Sequence, residues 1–373
     1  MAYNEKVRPV DHMLDEHSEQ GRPVAPPSRR GIGPRGANLA TMKPAVWLAL
    51  LVGLPLSGLM SWLATRNADL SRVWEAITHA ELGALTAAVV VMGVVYVLQA
   101  IRWRGVVGLD RPSRTRYVEL VVAGTACNNV LPGRLGDLLR ARWIAVDADL
   151  PSGRGLAAVV LDRTFDVVAL VLLLCVSLPM VVGETWIVRI GVGSSVLVAG
   201  ILIARALSRG YTSSRVRERH SRSLVRQVLR DLLEGLAEPL GRRRIARAVA
   251  LSIAAWCTWA VAAILVATSV GVSLGLLDAF FVAAIVNLGV AIPSSPGYVG
   301  TYQWLGVQSL GVLAVGREEA LAFSILFHAV WYVPTTLVGL SILALRIDWK
   351  GFRHHRASPS AATESAPRVS LQG

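Results

Sequence analysis

Long apolar stretches without a single charge constrain this chain more than any other feature. Pro44 to Ala64, Leu82 to Ile101 and Ala279 to Val315 contain no Asp, Glu, Lys or Arg. A helix of about twenty such residues crosses roughly 30 Å of hydrocarbon. In that medium only hydrogen-bonded helices or closed barrels are tolerated. Charged residues make up 17% of the chain, against about a quarter in soluble domains, which sets a soluble globular fold aside. The expected class is an all-α polytopic membrane protein.

Two of the apolar stretches are broken in the same way. The first reads Asn128-Asn129-Val130-Leu131, then Pro132-Gly133-Arg134-Leu135-Gly136-Asp137-Leu138-Leu139-Arg140. The second has Asn287, then Pro293-Ser294-Ser295-Pro296-Gly297-Tyr298-Val299-Gly300-Thr301-Tyr302-Gln303. Each contains Pro-Gly-x-x-Gly after an Asn-bearing apolar segment. Leu120 to Leu131 is only about 18 Å long as a helix, too short to cross. The pattern predicts two re-entrant helical hairpins, Leu120 to Val146 and Ala279 to Val315. Matching interruptions in two halves of a membrane protein point to a substrate site and to an inverted repeat.

Taken in order, 1–43 is a polar tail with too little apolar content to fold alone. Residues 44–345 form the membrane domain, with about six full spans: Pro44 to Ala64, Leu82 to Ile101, Leu156 to Val182, Trp186 to Leu207, Ala248 to Leu276 and Ala320 to Leu345. Residues 208–247 are a basic connection. In it Leu224, Val225, Val228, Leu229, Leu232, Leu233 and Leu236 recur at helical spacing beside arginines. That suits an amphipathic helix on an anionic membrane face or, equally, a connector packed on the bundle. Residues 346–373 are a second polar tail.

The net charge of +13 sits in the connections, where it sets orientation and meets anionic headgroups; nucleic acid is not the expected partner. Counting Arg and Lys places both termini in the cytoplasm, provided both hairpins return to the side they leave. Arg102, Arg104, Arg111, Arg114 and Arg116 then form a basic inner loop. Cys127, Cys175 and Cys257 show neither paired nor metal-ligand spacing and read as free thiols.

The motifs in order (Asn-Asn-x-x-Pro-Gly-Arg-x-Gly-Asp-x-x-Arg, Asp162-Arg163-x-x-Asp166, Pro-x-x-Pro-Gly-x-x-Gly) resemble those of the lysylphosphatidylglycerol synthase transmembrane family, over about Pro44 to Leu345. The resemblance implies a flippase-like membrane domain that handles lipids or lipid-linked groups. The family often carries glutamate where this chain has Gln303, and commonly where Asp137 and Asp162 stand. With the last span ending near Leu345, no soluble aminoacyl-transfer domain is expected, and no synthase activity.

The candidate substrate-binding residues are Asn128, Asn129, Arg134, Asp137, Arg140, Asp162, Arg163, Asp166, Asn287, Ser295, Tyr302 and Gln303. Arg134 and Arg140, at the helix start after Pro132-Gly133, suit a phosphate, because guanidinium and free N–H groups both donate to it. Alternatively Asp137 pairs with Arg140 and both orient the hairpin. Asp162 and Asp166 share a helix face as intramembrane ionisable groups, or end a span and pair with Arg154 or Arg142. Ser295, Tyr302, Gln303 and the asparagines line a polar path or satisfy broken backbone. His328 reads more as a packing residue than a proton relay.

The expected function is translocation of an anionic phospholipid or polyprenyl-linked headgroup in the cytoplasmic membrane. No catalytic residue, metal or cofactor is expected. Competing classes are a membrane transferase acting on a lipid carrier and a scaffold for a cell-envelope synthase. A homo-oligomer is compatible with any of the three.

Overall fold

A computed structural model describes residues 39–109, 112–182, 224–238, 240–290 and 295–346. Among these residues there are eleven α-helices, two 3-10 turns and no strand. The helices are α1 (Leu39–Thr65), α2 (Leu70–Thr78), α3 (Leu82–Val107), α4 (Arg114–Val130), α5 (Leu135–Asp147) and α6 (Ser152–Val182). They continue as α7 (Leu224–Ala237), α8 (Arg242–Ser269), α9 (Leu276–Gly289), α10 (Thr301–Val312) and α11 (Arg317–Arg346). By length and composition α3, α8 and α11 can cross a membrane. α6 has 31 residues but carries Arg154, Asp162, Arg163 and Asp166 in its first half. The predicted fourth span and the start of the basic connection lie outside the described residues.

Local chemistry starts and stops these elements. Asp69 caps α2 by accepting from the N–H groups of Ser71 and Arg72. α2 falls between the first two predicted spans; its apolar side buries Val73, while Trp74 stays exposed. Ser113 accepts from the Arg116 N–H, so α4 begins at Arg114, earlier than the apolar run suggests. Gly108 ends α3 in the left-handed region, φ 73°, where a side chain is strained.

Contacts at the helix ends sort them into two groups. At one end of the bundle Arg116 Nε donates to Asp147 at 2.7 Å, joining the start of α4 to the end of α5. Arg346, the last residue of α11, pairs with Glu119 there at 3.5 Å. At the opposite end Arg317 Nη2 donates to the Leu63 carbonyl at 2.6 Å, and the Glu81 N–H to the Ser269 carbonyl at 3.1 Å. The ends of α1 and α8 therefore sit with the starts of α3 and α11. The α4–α5 hairpin opens to the first end. The α9–α10 hairpin, tied by short turns to Ser269 and Arg317, opens to the second.

The first hairpin closes tightly because Gly124 and Gly136 face each other. A Cβ on Gly136 would lie 1.9 Å from the Gly124 carbonyl oxygen, and one on Gly124 would lie 2.4 Å from Cγ of Arg140. α7 packs its Val228 and Leu232 turn on Gly153 of α6, leaving Leu229 and Leu233 exposed. The packed-connector alternative thus describes one face of α7. Cys127, Cys175 and Cys257 form no disulfide among the described residues.

Candidate functional site

The two Pro-Gly breaks have the same backbone. Pro132–Arg134 and Pro296–Tyr298 are both 3-10 turns, with Gly133 and Gly297 each at φ 70°. The residue after each glycine is also left-handed, Arg134 at 56° and Tyr298 at 61°. Only a few per cent of non-Gly residues adopt such angles. Two of them at matching positions mark a turn geometry used twice.

The two tips touch each other. The Arg134 guanidinium carbon lies 5.9 Å from the Tyr298 ring centroid, and Arg134 Nη2 donates to the Val290 carbonyl at 2.9 Å. Val290 caps the C-terminus of α9, where a cation complements the helix dipole. The Tyr332 hydroxyl on α11 donates to the Asn129 carbonyl at 3.4 Å, and Gly297 packs against both groups. Ser295 anchors the second tip to α1 through its N–H to Ser57 Oγ, 2.8 Å. Arg134 itself is exposed and pairs with no carboxylate among the described residues.

Five further candidate residues come together one turn away, around a residue the sequence reading missed. Arg102 was read as a basic loop residue at the end of a span. The helix instead continues to Val107, and Arg102 is 1% exposed inside the bundle. Its Nε donates to Asp162 at 2.8 Å, and its two Nη groups donate to Asp166 and, at 2.8 Å, to Ser252 Oγ. Arg140 Nη2 donates to the other oxygen of Asp162 at 3.1 Å, with its guanidinium 4.1 Å from the Trp103 ring centroid. Arg163 Nη2 donates to Asp137 at 2.7 Å. Asp162 and Asp166 therefore pair with Arg102 and Arg140 rather than Arg154 or Arg142. Asp137 sits closer to Arg163 than to Arg140, which is 4.0 Å away.

Three guanidiniums meet three carboxylates in this cluster, so it is formally neutral. It ties α3, α5, α6 and α8 together and fixes the first turn of α5 behind the Arg134 tip. Buried charges are tolerated when paired and hydrogen-bonded in this way.

The polar residues around the second tip divide. Gln303 Oε1 accepts from the Gly300 N–H at 2.7 Å, and its Nε2 lies 2.8 Å from Nδ1 of His328. His328 stacks on Tyr302, centroids 4.7 Å apart, and lies 4.9 Å from Trp331. Asn129 Nδ2 donates to Thr336 at 2.8 Å. Asn128 is buried against Gly136, its Oδ1 unpartnered. Asn287 donates to Ala283 on its own helix and joins neither group by a hydrogen bond. Among the described residues no cluster of His, Cys, Asp and Glu is arranged to hold a metal.

Among the described residues, an all-helical architecture with three helices long and apolar enough to cross a membrane defines a helical membrane protein. The chain belongs to the lysylphosphatidylglycerol synthase TM region family, which matches residues 46–339. It is also similar to a glycosyltransferase, AglD of Haloferax volcanii, at 27% identity over 353 residues. That match takes in 83% of this chain and 56% of the relative, so the chain spans little more than half the relative's length.

Proposed function

We propose that this protein moves an anionic phospholipid or lipid-linked phosphate headgroup across the cytoplasmic membrane. In this reading both hairpins are re-entrant, both termini are cytoplasmic, and the headgroup passes where the tips meet. The observation that carries it is Arg134: an exposed guanidinium at the junction of two opposed hairpins, beside the start of α5, which has no side-chain cap. Guanidinium and unpaired helix N–H groups are the donors a phosphate takes. Broken backbone at membrane depth is tolerated where it lines a cavity or is buried in protein. Arg140 serves as a positioning residue in this account, because at 2% exposure it is already paired with Asp162. Family membership supports a role with membrane lipids or glycans.

The test is purified protein in liposomes bearing fluorescent phosphatidylglycerol or a fluorescent polyprenyl phosphate, read by headgroup access to a quencher outside. Faster crossing than in protein-free liposomes with either lipid supports the proposal; protein-free rates with both refute it. The name of the Haloferax relative favours a second reading, a membrane-embedded transferase acting on a lipid carrier. That reading requires turnover of an activated donor in detergent, where translocation has no meaning. A protein that only scaffolds an envelope synthase would show neither activity.

A further inference from the structure

Gln303 makes two contacts that together dictate the protonation of His328. Its Oε1 accepts from the Gly300 N–H, which fixes the orientation of the amide. Nε2 is then a donor, so Nδ1 of His328 at 2.8 Å must be an acceptor. The imidazole in this arrangement is neutral, with its proton on Nε2, and the ring also interacts with the Gly297 backbone of the second tip. A second proton, on Nδ1, would set two donors face to face. Turning the Gln303 amide to serve the imidazolium would set its NH₂ against the Gly300 N–H instead. Gln303 satisfies one or the other, not both.

The surroundings of His328 are uncharged. Tyr302 and Gln303 face it from α10, and Trp331 and Tyr332 from its own helix, within ring-centroid distances of 4.7 to 5.2 Å for the three aromatics. The titratable groups among them are the two phenols. Arg134, the cation of the neighbouring tip, is directed to the Val290 carbonyl and the Tyr298 ring rather than to His328, and keeps further N–H donors exposed. Among the described residues no carboxylate contacts the ring to compensate a second proton.

We propose that His328 is a proton-binding site that sets the shape of the second hairpin tip. Neutral, it holds Gln303 so that the Gly300 N–H is capped and α10 starts at Thr301. Protonated, it takes the Gln303 oxygen or repels the amide, and the cap at Gly300 opens. The tip so released is the one that meets Arg134, so pH acts on the junction proposed as the headgroup path. The consequence for transport rests on that proposal; the switch itself does not.

Hydrogen–deuterium exchange of the full chain in lipid nanodiscs tests it without any lipid movement. Exchange at Gly300, corrected for intrinsic rates, should rise several-fold in wild type between about pH 7 and about pH 4, as one capping bond is lost in the protonated fraction. His328→Asn keeps an acceptor, Oδ1, near the position of Nδ1 but does not titrate, and should show no such rise. Gln303→Glu accepts from both the Gly300 N–H and an imidazolium, and should keep the cap at low pH. Wild-type exchange that is independent of pH overturns the proposal. So does the same rise in His328→Asn or in Gln303→Glu.

Discussion

Replacing Arg102 by methionine tests the buried charge cluster most severely. The side chain is 1% exposed and supplies both Asp162 and Asp166, besides Ser252. Methionine fills much of the stem's volume and removes the charge. Two guanidiniums then face three carboxylates. Asp162 keeps Arg140 at 3.1 Å, while Asp166 is left with Arg163 at 3.5 Å. Removing one partner of a buried pair costs about 3–5 kcal/mol, because an uncompensated charge stays behind. At roughly 2–4 °C per kcal/mol, the unfolding midpoint in detergent should fall by at least about 6 °C. Adding Asp166→Asn returns the cluster to two against two, and should recover roughly 1–3 kcal/mol as a coupling energy in a double-mutant cycle. A single variant within about 0.5 kcal/mol of wild type, the range of ordinary surface changes, would refute the reasoning. So would a cycle that is simply additive.

Three further predictions concern separate parts of the fold. Gly136→Ala should sharply reduce the yield of folded protein in membranes, because its Cβ would lie 1.9 Å from the Gly124 carbonyl, while Gly105→Ala, with nothing within 4 Å, should be neutral by size-exclusion profile. Arg140→Lys keeps the charge near Asp162 but loses the planar guanidinium over Trp103, and should lower the unfolding midpoint. The Asp231 carboxyl on α7 is held above its usual range by burial and by Glu234, so docking of α7 is favoured by its protonated form and weakens as pH rises through that raised value. Asp231→Asn should therefore make α7 harder to cleave by limited proteolysis at neutral pH.

The parts of this fold legible in the sequence are those governed by local rules. The Pro-Gly breaks announced two turns, because proline fixes φ and removes a helix donor while glycine alone admits left-handed backbone without strain, and the glycines at 133 and 297 adopt the same left-handed angle. The apolar runs announced α3, α8 and α11 through length alone. What failed was the reading of arginine. Arg102 and Arg104 look alike beside the end of an apolar run, and counting positive charges treats both as interfacial. Only the partners of Arg102, sixty and more residues away on α6 and α8, pull it inside. Arg140 was read as a headgroup ligand or as a partner of Asp137; its i,i+3 neighbour Asp137 is visible in sequence, whereas its contacts with Asp162 and Trp103 are not. A signal for the cluster was present in Asp162 and Asp166, acidic groups one turn apart in a span, which demand cations at the same depth. His328 was given little weight as a lone histidine among aromatics; its contact with Gln303 crosses two helices and has no local pattern.

The central claim is that a headgroup phosphate meets Arg134 where the two tips join. The direct measurement is headgroup crossing in proteoliposomes for wild type, Arg134→Lys and Arg134→Ala, with unfolding midpoints recorded for each. Arg134 is exposed and among the described residues makes one hydrogen bond, to a carbonyl, so its loss should leave the midpoint nearly unchanged. The account predicts crossing that is lost in Arg134→Ala and partly kept in Arg134→Lys, with either lipid that wild type moves. Wild-type crossing in a folded Arg134→Ala would place the path elsewhere and contradict the account.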